Sequence, residues 1–104
     1  MQVVACTSLD EVRLNIDRLD RQLVALVAER GAYVNQAARF KKSAAEVAAP
    51  QRVALFIDKV RALALEIGAE PAVVEATWRA MITVFIEIER SAHAALHPPS
   101  QHPH

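Results

Sequence analysis

The stretch SLDEVRLNIDRLDRQLVALVAERGAYVNQAARF, residues 8–40, decides the fold. It opens on a capping box, in which Ser8 is placed to cap the amide of Glu11 and Glu11 to return the bond. Val12, Ile16, Leu19, Leu23 and Leu26 then recur at helical spacing, and no proline intervenes before Pro50. The pattern predicts one helix from Leu9 to Phe40, about 48 Å long at the usual rise per residue. A compact chain of this size has a radius of gyration near ~13 Å, so the helix outreaches the globule. Its apolar stripe needs a cover, and a second copy of the chain supplies one. Length and pattern alone therefore predict a homodimer.

Two shorter helices follow. Pro50 suits a first helical turn, and Val53, Ile57, Val60, Ala64 and Ile67 form a stripe that Gly68 terminates. Pro71 opens the third helix, whose stripe runs through Val74, Trp78, Met81 or Ile82, and Phe85. The segment KKSAAEVAA, 41–49, reads as a loop or frayed turn, and no strand pattern or internal repeat is present. The expected class is all-α: three helices, one long and two shorter, in an intertwined helical-bundle homodimer. The helical domain is expected over 1–95, with a disordered tail over 96–104.

Composition narrows the function. The chain has 104 residues, enough for one domain, and 53% of them are hydrophobic. Twelve basic residues balance twelve acidic ones, and aromatics make up 5%, so no nucleic-acid footprint or general membrane attraction is indicated. The start, MQVVACTSLDEVR, lacks the basic and apolar regions of a signal peptide, and no apolar run is long enough for a membrane span. Cys6 is the one cysteine, which excludes an intrachain disulfide and suggests a reducing compartment. A cytoplasmic location is expected. His93 and His97 are four apart, but no carboxylate or cysteine accompanies them at ligand spacing, so no metal site is assigned.

The run FIEIER, 85–90, holds two glutamates in apolar surroundings. Trp78, Ile82, Phe85 and position 89 follow the +4, +3, +4 rhythm of one helix face, so Glu89 turns inward. Glu87 lies roughly 200° around the helix and faces water. A buried acid calls for a basic partner. Arg30 and Lys41 are eleven residues apart, close to three turns, and share a face on which small Ala37 leaves room. Arg13 lies on the order of 25 Å back along the same rod, so it cannot join them on one small ligand within a single chain. In a crossed or antiparallel dimer it can. The set suits a small polycarboxylate bound across two chains.

These residues resemble a known family. VRLNIDRLDRQLVALVAER, AARFKKS, APQRV and FIEIER, in this order over about residues 8–92, are similar to the all-helical chorismate mutases and their relatives the isochorismate-pyruvate lyases. AARFK followed by APQRV looks particularly like the lyase branch. The resemblance implies an intertwined dimer with two equivalent sites, each borrowing Arg13 from the partner chain. It implies that Arg30 holds a carboxylate, that Lys41 donates to the substrate's ether oxygen and a carboxylate, and that Arg52 closes over the substrate. Ile86 is carried over as a substrate contact, and Glu89 takes the other side of the ether oxygen, where many relatives have glutamine. Position 85, a small hydroxyl residue in some mutases, is Phe here, and an acidic residue that some of them use beside Arg52 is absent.

The implied reaction, chorismate to prephenate, is unimolecular and needs no nucleophile, metal or cofactor. It needs the reactive conformer held and positive charge or donors facing the oxygen on which negative charge grows. Forked arginines match carboxylates, and Glu89 can donate to the ether oxygen only when protonated. Chorismate mutase is the expected activity. Isochorismate-pyruvate lyase is the alternative in the same pocket, and a non-catalytic helical dimer that binds a partner is the alternative of another class.

Overall fold

The computed structural model describes residues 2–97. Four helices follow one another: α1 (Leu9–Phe40), α2 (Ala44–Ala48), α3 (Pro50–Ile67) and α4 (Pro71–Leu96). No strand occurs among the described residues, and none of their helices is long and apolar enough to cross a membrane. The long first helix and the starts of α3 and α4 fall where the sequence places them. The tail expectation lies outside the described residues from Pro98 onward; α4 itself continues through Leu96. The chain divides after Tyr33 into two compact units, with the boundary inside α1.

In the first unit, the start of α1 is tied down by side chains. Ser8 Oγ accepts from Glu11 N at 3.1 Å, as the capping box requires. Glu11 Oε2 returns its bonds one residue earlier than expected, accepting from Thr7 N at 3.1 Å and Thr7 Oγ1 at 3.0 Å. The expected apolar stripe is largely open to solvent: Val12, Ile16, Leu19, Leu23 and Leu26 are all between 38% and 60% exposed. Such a row of large apolar side chains is what a partner surface looks like before it is covered.

In the second unit, α3 and α2 each pack on α4. Ile57, Val60 and Ala64 of α3, Ile82 of α4, Val47 of α2 and Ala38 near the end of α1 are buried. Ile67 departs from the expected stripe and is 60% exposed. It is the last residue of α3, where the chain turns at Gly68 with φ 77°. There Gly68 N donates to Leu65 O and Ala69 N to Ala64 O, pairing carbonyls that the helix end leaves over.

The segment 41–49 is more ordered than a loop. Ser43 Oγ accepts from Glu46 N at 3.2 Å, and Glu46 Oε2 accepts from Lys42 N at 2.8 Å. This second capping arrangement starts the five-residue α2. It ends at Ala49, a non-glycine residue with φ 32° just before Pro50. Proline disfavours the right-handed helical region in the residue before it, so α2 and α3 cannot run on as one helix.

A charge cluster fastens α3 to α4. Glu75 accepts from Arg61 Nη1 at 2.6 Å through one oxygen and from Arg79 Nε at 2.8 Å through the other. The Arg79 hydrogen bond, then the Arg61 one, holds its carboxyl below the ordinary value of 4.5. A carboxyl depressed in the folded state stabilises the fold where the unfolded group is ionised, and that contribution disappears as pH falls through the folded value. The urea-unfolding stability of the parent should therefore exceed that of Glu75→Gln at neutral pH, with the gap closing as acidification takes the pH below the ordinary carboxylate value and through the lowered one. A gap that stays constant with pH would remove Glu75 from the stabilising contacts.

Candidate active site

Glu89 is the inward glutamate. It is 5% exposed on α4, while Glu87 lies outside and pairs with Arg90 at 3.1 Å. The reason is the helix register: Ile82, Glu89 and His93 share the buried face. A carboxylate this deep requires a counter-charge, because stripping its water is costly. Lys41 supplies it, with Nζ 2.6 Å from Glu89 Oε1. The contact is an ion pair, and Oε1 is buried with no hydrogen-bond partner among the described residues. It keeps capacity for a further partner.

Lys41 stands just past the end of α1, where no helix of its own fixes it. Its backbone is held by a third side chain. His93, 8% exposed and one turn beyond Glu89, places Nε2 2.9 Å from Lys41 O. A carbonyl only accepts, so Nε2 carries the proton and donates. The His97 ring lies 4.5 Å from that of His93 at an interplanar angle of 34°. α4 thus meets Lys41 twice, at the ammonium and at the carbonyl.

The remaining expected site residues are distributed as follows. Ile86 is half-buried on α4, three residues before Glu89 and on the same side. Arg52, in the first turn of α3, is exposed, and its guanidinium lies over the Phe56 ring at 4.6 Å from the centroid. Arg13 and Arg30 belong to the first unit. Arg13 lies 4.0 Å from Asp10, one turn earlier, and is largely exposed, whereas Arg30 is partly buried. The structure therefore brings Lys41 and Glu89 into contact and gives Ile86 the same helix side.

Two residues that sequence reasoning did not assign to the site belong beside it. The signal for Glu46 is the Ser-x-x-Glu spacing of 43–46, identical in form to that of 8–11. For His93 the signal is the +4 step from Glu89, which continues the Phe85–Glu89 face. Among the described residues, no group of three or more His, Cys, Asp and Glu side chains converges as a metal site would.

The arrangement offers a cation and an acid in contact at a largely water-excluded spot. It can present positive charge to an anionic substrate and a donor to an oxygen on which charge develops. The family model for chorismate mutase type II matches residues 12–90. The chain is also 37% identical over 81 residues to an isochorismate pyruvate lyase of Pseudomonas aeruginosa, an alignment covering 78% of this chain and 80% of that protein.

Proposed function

The chain belongs to the chorismate mutase type II family, and from that premise we propose that it rearranges chorismate to prephenate around Lys41 and Glu89. The observation that carries the reading is the 2.6 Å contact between those two groups on the buried face of α4. In the rearrangement one C–O bond breaks as one C–C bond forms, and negative charge grows on the ether oxygen. The substrate's oxygen takes the place of the direct contact between the two groups, and Lys41 then donates to it from one side. Glu89, in its neutral form, donates from the other.

Arg30 and Arg52 hold the substrate's carboxylates as forked donors, and Ile86 closes the pocket with an apolar wall. Arg13 comes from the partner chain of a homodimer. The open apolar stripe of α1 supports that assembly. The substrate is thus a small dicarboxylate, and the proposed location is the cytoplasm.

A second reading, isochorismate-pyruvate lyase, is supported by the name of the Pseudomonas aeruginosa relative. That reaction breaks a C–O bond at the corresponding oxygen as a ring hydrogen passes to the enolpyruvyl methylene, which leaves as the methyl of pyruvate, so the same donors serve it. The test is to supply chorismate and isochorismate separately to the purified protein. Prephenate as the main product upholds the mutase, whereas salicylate and pyruvate as the main products transfer the assignment to the lyase. No product from either would leave the non-catalytic dimer.

The role of Glu89 gives a sign. Only its protonated form donates, and its ionised form repels the developing charge, so turnover should be highest on the acid side and fall as Glu89 ionises. Glu89→Gln keeps a donor that cannot ionise, and its profile should be flatter, exceeding the parent at high pH. Profiles that coincide, in a range where circular dichroism shows both proteins folded, would make Glu89 structural only.

The borrowed arginine is tested by mixing. Arg13→Ala and Arg30→Ala homodimers should each be nearly inactive, and exchange of their chains should restore one intact site per heterodimer. Absence of rescue after verified exchange would contradict sharing of Arg13.

A further inference from the structure

We propose that His93 and Glu46 act as positioning residues for Lys41 by gripping the two ends of the Lys41–Lys42 peptide. His93 Nε2 donates to Lys41 O at 2.9 Å, and Lys42 N donates to Glu46 Oε2 at 2.8 Å. One planar peptide group is therefore fixed at its carbonyl from α4 and at its amide from α2. Planarity makes this effective: pinning both the C=O and the N–H fixes the orientation of the whole unit to which Lys41 Cα belongs. The peptide sits between α1 and α2, so no helical hydrogen bond does this for it.

The consequence reaches the ammonium. Lys41 carries four rotatable side-chain bonds, and its 2.6 Å approach to Glu89 persists only if its backbone origin is fixed relative to α4. His93 and Glu89 are one turn apart on the same buried face. One face of α4 thus sets both where Lys41 starts and where its charge ends. His93 lies beyond the span that matches the family model, residues 12–90. It touches Lys41 through the backbone and is not itself placed on substrate. This role rests on the proposed function only in its kinetic consequence; the geometric claim stands without it.

The experiment has an arm for each. Reductive methylation with formaldehyde and a borohydride reductant, followed by mass spectrometry, reads the reactivity of the Lys41 amine with exposed Lys59 as internal reference. In the parent, pairing with Glu89 should keep Lys41 slow. In His93→Leu, which keeps bulk and removes the donor, Lys41 should react several-fold faster while Lys59 is unchanged. His93→Gln, which restores an N–H near the same place, should return Lys41 toward the parent rate. Glu46→Ala, a change at an exposed residue, should release Lys41 from the other end of the peptide even if His93→Leu does not fold.

Kinetics on chorismate, or on isochorismate if that is the substrate turned over, should follow the labelling. His93→Leu should lower kcat by roughly tenfold or more, as a misplaced catalytic group does, with KM little changed and His93→Gln partly restored. Lys41 labelling and kcat that stay at the parent level in both His93→Leu and Glu46→Ala would overturn the proposal. So would a His93→Gln as impaired as the leucine variant. A parent inactive on both substrates would instead overturn the functional reading, and the labelling would still decide whether the peptide is held this way.

Discussion

A buried glutamate needs its counter-ion, and in this chain the counter-ion comes from another segment. Glu89 is 5% exposed on α4, and Lys41 approaches it from the junction after α1. Removing one partner of a buried pair typically costs about 3–5 kcal/mol, because the other charge is left without compensation. The penalty falls unequally here. Lys41 keeps 28% of its side chain exposed and can turn to water, whereas Glu89 cannot. Its placement thus ties the end of α1 and the start of α2 to the face of α4 on which it sits. A site of this kind is costly for stability and useful for chemistry, since charge acts most strongly where water is excluded.

Much of this was legible in the sequence because helices repeat. The rhythm from Trp78 through Ile82 and Phe85 to position 89 distinguishes Glu89 from Glu87 without knowledge of any neighbour, and the burial of α4 follows it. Pro50, Gly68 and Pro71 mark helix ends because backbone geometry at those residues is restricted or permissive in known ways. What a periodic reading does not carry is contact between distant segments. Lys41 O and His93 are 52 positions apart, and nothing in either segment alone announces the pairing. Other features do carry a local signal. Ser43–Glu46 repeats the capping signature of Ser8–Glu11 within a stretch whose composition otherwise reads as a loop or frayed turn. The spacing of His93 and His97 invites a metal reading, which lacks further ligands, whereas the step from Glu89 shows that His93 continues the inward face by one turn.

The site reading has the same division. Lys41 and Glu89 meet as two elements of one unit, while Arg52 stacks on Phe56, and Arg13 and Arg30 lie on the part of α1 before the unit boundary. The proposed site draws on all of them, and the proposed homodimer would use the exposed apolar stripe of α1. Membership of the chorismate mutase type II family gives such a pocket a chemical purpose. Neither the mutase nor the lyase reaction demands a nucleophile. Each needs an oxygen met by donors and carboxylates met by cations. In the proposed reading, the glutamate in FIEIER makes the donor on one side depend on protonation.

The most direct measurement is the turnover of Lys41→Ala on the substrate that the parent converts, with folding checked by circular dichroism. Charge on the oxygen grows mainly in the transition state, so loss of one such donor should lower kcat by about 10²–10³ and change KM far less. A folded Lys41→Ala protein with the parent's kcat would contradict the proposed placement of the reacting oxygen between Lys41 and Glu89.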